Sequence, residues 1–133
     1  MNKQNLGLIS SMAILLIVLS TLNGFSQTGS KNYYFEQKAT LTGTLSELKY
    51  TDLAGNWNTT YILKLAIPIK VISNSDNYET QVNVKEVQVG FDFDKVLNPK
   101  ALINKKITVT GELYGQQTVH DRRPVLLLSS SIN

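Results

Sequence analysis

The groups best able to do chemistry stand together in "YGQQTVHDRRPVLLL", residues 114 to 128. This stretch holds the single histidine, His120, followed by Asp121 and the only two arginines, Arg122 and Arg123, directly before Pro124. His120 is the one side chain whose ordinary pKa suits a general base near neutral pH. Asp121 follows it immediately, and in an extended hairpin neighbours point to opposite faces, so this carboxylate is not placed to orient the imidazole. The chain has no cysteine and no Gly-x-Ser-x-Gly elbow. A catalytic constellation is therefore not expected, and the chain is read as a non-enzyme.

Metal chemistry is also short of ligands, because one imidazole does not make the three or four protein ligands of a zinc site. Asp92-Phe93-Asp94 places two carboxylates on one strand face, where they could share a hard cation such as calcium, although such pairs more often cap a turn or solvate a strand end. No metal and no cofactor are expected. What remains is recognition. Arginine offers a planar fork for carboxylate, phosphate or a protein surface, and an exposed tryptophan offers a stacking platform. Trp57 stands in a second turn-rich stretch, "DLAGNWN". Trp57, His120, Arg122 and Arg123 are the predicted binding residues. The competing reading makes the charges solvating groups at a hairpin tip, with Trp57 packed over one end of the domain.

The elements that would hold these residues alternate with period two. Ala39, Leu41, Gly43 and Leu45 share one face of a strand and Thr40, Thr42 and Thr44 the other. The apolar phase then moves to Leu48 and Tyr50, which predicts a bulge or sharp coil in a long strand. Tyr61 to Val71 alternates as a second strand, in which Pro68 lacks an amide donor and must fall at an edge, bend or strand end. A third strand spans about 81 to 91, with another phase shift between Val84 and Val87. Asn98-Pro99 predicts a short helix through Ile103, with Asn98 as its cap. Ile107 to Leu113 and Pro124 to Ser129 complete five strands. "TLTGTL" and "TVTGEL" echo each other, and a glycine inside each good strand predicts curvature or close backbone approach at Gly43 and Gly111.

Five strands, a short helix between the third and fourth, and glycines at the bends predict an all-β fold. It is a small OB-fold-like barrel over residues 39 to 133, after an N-terminal tail or short edge segment at 27 to 38. A seven-stranded sandwich would need more strands than the chain offers. In such a barrel the loops at 51 to 58 and 115 to 123 flank the ligand groove, which would bring Trp57 toward His120, Arg122 and Arg123.

"YILKLAIPIKV", "VKEVQV", "KKITVTGELY" and "PVLLL" together resemble a family of exported bacterial domains of unknown function with an OB-like barrel, over most of residues 39 to 129. In those relatives the segment before Pro-Val-Leu-Leu is often a histidine-rich run, and the resemblance implies a metal role for it. Here the segment reads Thr118-Val119-His120-Asp121-Arg122-Arg123, and only His120 carries over.

Residues 1 to 26 read as an export signal: Lys3, an uncharged apolar run from Leu6 to Leu22, then Gly24-Phe25-Ser26 before Gln27. A retained anchor is the competing reading, since spanning a bilayer takes about 20 apolar residues. No cysteine follows the run, which argues against a lipid anchor. The part after Ser26 is expected to be periplasmic or secreted, without a membrane span, and monomeric. The whole chain carries a formal net charge of +3. Lys64, Lys70, Lys85 and Lys95 are interleaved with Glu86, Asp92 and Asp94, so no basic stripe marks a nucleic-acid track, and nucleic acid is not the expected partner. Without cysteines no disulfide framework is possible, and a hydrophobic core must supply the stability. The expected function is an exported, non-catalytic binding or interaction module of the bacterial envelope. Its partner would be an envelope protein, a glycan or a small anionic ligand. The alternative is an OB domain for single-stranded nucleic acid or oligosaccharide.

Overall fold

The computed structural model describes residues 31–92, 95 and 98–133. The predicted export signal, the first residues of the predicted tail, and Asp94 lie outside the described residues. Six strands follow in chain order: β1 (Asn32–Tyr34), β2 (Lys38–Thr51), β3 (Trp57–Ile72), β4 (Gln81–Gly90), β5 (Lys106–Gly115) and β6 (Val125–Ile132). Antiparallel pairing joins β2 to β3, β3 to β4, β2 to β5 and β5 to β6, and a parallel pairing of β4 with β6 closes the ring. The result is the predicted five-stranded all-β barrel, with β1 added parallel to β3 through Asn32↔Lys70 to Tyr34↔Ile72. Among the described residues no helix is long and apolar enough to cross a membrane.

Strand alternation supplies the interior. Leu41 and Leu45 of β2, Leu63 and Val71 of β3, Val87 and Val89 of β4, Val109 and Leu113 of β5, and Leu127 of β6 all enter one buried cluster. Burying a leucine or valine of this kind is worth roughly 1.5–3 kcal/mol relative to leaving it in water. Phe91 lies in the same cluster and meets the half-buried Tyr61 edge-on, with ring centroids 5.2 Å apart.

The two echoing segments are each other's sheet partners. Thr40 pairs with Thr110 and Thr42 with Thr108, and their hydroxyls bond across the seam at 2.9 and 2.8 Å. The expected close approach at the glycines is present. A Cβ on Gly43 would strike the Lys64 carbonyl, and one on Gly111 would strike the Leu128 carbonyl, where the β5–β6 register also shifts.

Two expectations need correction. First, β2 has no bulge, because its register with β3 runs unbroken from Gly43↔Leu65 to Thr51↔Trp57. Leu48 and Tyr50 simply lie on the outer face, where they are half-buried. The phase shift in β4 does mark an irregularity: the β3–β4 register changes on either side of Ile69, and Asn83 adopts a left-handed φ of 53°. Second, the helix expected from Asn98 to Ile103 is a single 3-10 turn, Pro99–Leu102, and the Asn98 side chain makes no capping bond. The turn ends at once because Asn104 N–H donates to the Leu45 carbonyl and draws the chain back onto β2. Of the two readings of residues 27 to 38, tail or short edge segment, the described part from Asn32 on fits the second, as the edge strand β1. Phe35 is buried in the core, and Glu36 reverses the chain with a left-handed φ of 61°.

Candidate binding cleft

At one end of the barrel the β2–β3 loop and the β5–β6 loop face each other. Between them lies an open cleft of about 580 Å³, lined by Thr51, Asp52, Leu53 and Ala54 from one side and Gln116, Val119, His120, Asp121 and Arg122 from the other. That volume falls within the range of small-ligand pockets. Leu53 is 93% exposed and Val119 63% exposed, so the mouth is apolar as well as charged.

Each loop is built around an aspartate. Asp52 accepts hydrogen bonds from the main-chain N–H groups of Ala54 and Asn56 at 2.9 and 2.8 Å, and from the side-chain amides of Asn56 and Asn58. These donors, the Asn56 N–H first among them, hold its carboxyl below the usual 3.8. Asp121 accepts from the N–H groups of Gln117 and Thr118, both at 2.8 Å. Its carboxylate is thus committed to the turn and does not serve His120.

The β5–β6 loop is also bonded to the outer side of β4. The Arg122 N–H donates to Gln88 Oε1 at 2.6 Å, and Arg123 Nε donates to Glu86 Oε2 at 2.7 Å. Gln88 is consequently buried, as is its sheet neighbour Ile62, although Tyr61 and Leu63 on either side of Ile62 face the interior. The Arg122 guanidinium turns the other way. Its central carbon sits 3.9 Å from the centroid of the Tyr50 ring, a cation–π arrangement that fixes the plane of the fork. The Tyr50 hydroxyl lies 3.5 Å from His120 Nδ1, at the outer limit of a hydrogen bond.

The predicted residues therefore separate. His120 and Arg122 meet, over Tyr50. Arg123 is spent on Glu86. Trp57, 77% exposed, pairs with Thr51 in the sheet while Tyr50 pairs with Asn58, so the tryptophan points to the opposite face from Tyr50; it is not among the residues that line the cleft. The aromatic partner of the arginine is Tyr50, which sequence reasoning passed over. Its signal was the apolar phase shift itself: Leu48 and Tyr50 mark where β2 begins to be covered from outside.

Among the described residues no three of His, Cys, Asp and Glu come together as a metal-holding group. Asp92 is ion-paired with Lys95 at 3.4 Å. Among the described residues no carboxylate bonds the Arg122 guanidinium, and its Nε is shielded from solvent without a partner. The cleft thus combines two carboxylates already satisfied by amides with one oriented cation that is not. Compared with known proteins, the chain matches no family model and no curated protein.

Proposed function

We propose that the protein is an exported, monomeric, non-catalytic binding module of the bacterial envelope, of the OB-barrel class, which takes an anionic ligand in the cleft between its two loops. Export rests on the pattern of residues 1 to 26. The class is supported by the ring order β2-β3-β4-β6-β5 with its parallel closing pair, and by the position of the cleft between the first-to-second and fourth-to-fifth barrel connections, where such barrels bind ligands. The exported family of unknown function that the strand motifs resemble is consistent with this reading.

One observation carries the choice of an anion. The Arg122 guanidinium is oriented by the Tyr50 ring and has no carboxylate partner among the described residues, so a ligand carboxylate or phosphate gains a charge-assisted fork without breaking an ion pair seen there. Exposed Leu53 and Val119 would cover an apolar portion of the same ligand. A long nucleic-acid track fits less well, because the β5–β6 loop already engages β4 through Gln88 and Glu86.

The test is a titration of the isotope-labelled protein with sodium glucuronate, and separately with inorganic phosphate, followed by amide NMR shifts. Shifts are expected at Leu53 and from Val119 to Arg122, weakening as salt is added. Arg122→Ala should weaken the binding by about tenfold, the size expected for one charge-assisted hydrogen bond. If neither probe moves these amides, or Arg122→Ala binds as well as the parent, the cleft is not an anion site.

A further inference from the structure

On the opposite flank of the barrel β2 and β3 part company. Their register ends at Gly43↔Leu65, the point where Gly43 lies against the Lys64 carbonyl. Before Gly43, β2 stays with β5; beyond Leu65, β3 has no partner on that side among the described residues until β1 joins it at Lys70. A slot of about 410 Å³ lies between the diverging strands, floored by Leu41 and Leu65 and edged by Ala66, Ile67 and Pro68.

The hydrogen bonds at both ends of the β2–β5 seam show which main-chain groups face the slot. The Leu45 N–H donates to the Lys105 carbonyl, and the Leu113 N–H donates to the Gln37 carbonyl. Odd-numbered residues of β2 therefore spend their N–H and C=O groups on β5, and even-numbered residues turn theirs to the other edge. Thr44 and the residues after it meet β3 there. Among the described residues, Thr40 and Thr42 meet no strand on that edge. Across the slot stands Pro68, which has no N–H to leave unpaired, and Ile67 is 59% exposed. Among the described residues, the charged ones lining the slot are Lys31 and Lys106.

We infer that this slot docks an extended, acidic segment of another protein, which adds to β2 as a strand, its main chain on Thr40 and Thr42 and its carboxylates toward Lys31 and Lys106. An unpaired strand edge selects an extended backbone, because only that presents N–H and C=O groups at the matching spacing. Two lysines with no lining carboxylate select the charge. This site is separate from the cleft and does not depend on it.

The experiment measures amide hydrogen exchange of the protein with a capped eight-residue peptide of alternating glutamate and valine. Exchange at Thr40 and Thr42 should slow by about tenfold or more at saturation. Lysine in place of glutamate should abolish the effect, as should N-methylation of alternate peptide amides. The surface variant Lys31→Glu/Lys106→Glu, with its fold checked by circular dichroism, should lose the protection. Unchanged exchange with the glutamate peptide would overturn the proposal, and so would equal protection by the lysine or N-methylated peptide. Protection present before peptide is added would also overturn it: the occupant is then the chain itself if the effect is independent of protein concentration, and a second copy if it rises with concentration.

Discussion

The two loops that form the cleft share one device and differ in what they lean on. In each an aspartate gathers main-chain N–H groups, Asp52 from Ala54 and Asn56, Asp121 from Gln117 and Thr118. The β2–β3 loop needs nothing further: its bonds are all with residues inside the hairpin, and Leu53 projects into solvent. The β5–β6 loop reaches more than thirty residues back along the chain to Gln88 and Glu86. One loop is a self-contained turn, while the position of the other, and with it the aim of Arg122, is set by the barrel wall.

The harshest way to break this comparison is to damage the frame on which both loops stand. Gly111→Val would drive a side chain into the Leu128 carbonyl where β5 meets β6. Overpacking against backbone should cost about 3 kcal/mol or more, which for a domain of this size lowers the melting temperature by roughly 10 °C or more. A thermal melt followed by circular dichroism checks it. An unchanged melting temperature would mean that β5 and β6 can separate locally.

A gentler variant separates the loops. Gln88→Ala removes the acceptor of the Arg122 N–H, and leaving a part-buried donor unpaired should cost about 1–2 kcal/mol. Hydrogen exchange should quicken from Val119 to Arg122 and stay unchanged from Asp52 to Asn56. Equal quickening in both loops would show that they move as one unit.

The smallest effect is a pH titration of the self-contained turn. The folded-state carboxyl of Asp52 lies below the usual 3.8, chiefly through the Asn56 N–H. Its contribution to the turn is therefore fully present above that value and is lost as pH falls through the lower, folded pKa. NMR shifts of the Ala54 and Asn56 amides should titrate with a midpoint below 3.8. A midpoint at or above it would mean that these bonds are not kept in solution.

Much of the frame was legible in the residues because strand alternation is a local property. The interior positions of β2, β3 and β5, the tight passages at Gly43 and Gly111, and the placing of Pro68 on an unpaired edge all follow from period two and backbone chemistry. The phase shifts were visible too, yet the same signal had two causes. In β4 it is a register change with Asn83 left-handed; in β2 it is a continuous strand whose covered side changes. Sequence patterning reports that a side chain is covered and says nothing of what covers it. The cleft suffered most from this. Tyr50 meets residues seventy positions away, and Gln88 and Glu86 meet theirs across more than thirty, so no local pattern could pair them with His120, Arg122 and Arg123. Trp57 has the chemistry, but the β2–β3 register points it away from the face that carries Tyr50.

The threonine seam between β2 and β5 bears on how fast the molecule can assemble. It sets Lys38 opposite Glu112 and Thr44 opposite Lys106, so the chain must close a long loop before this pairing returns any free energy. The parallel pair that completes the ring, Gln88↔Leu126 to Gly90↔Leu128, is likewise a distant contact. Barrels dominated by such distant contacts fold over about milliseconds to seconds, whereas helical bundles of similar size finish far sooner. Pairing of this range leaves strand edges open for longer while the chain folds, which is when a barrel is most exposed to mispairing with its neighbours.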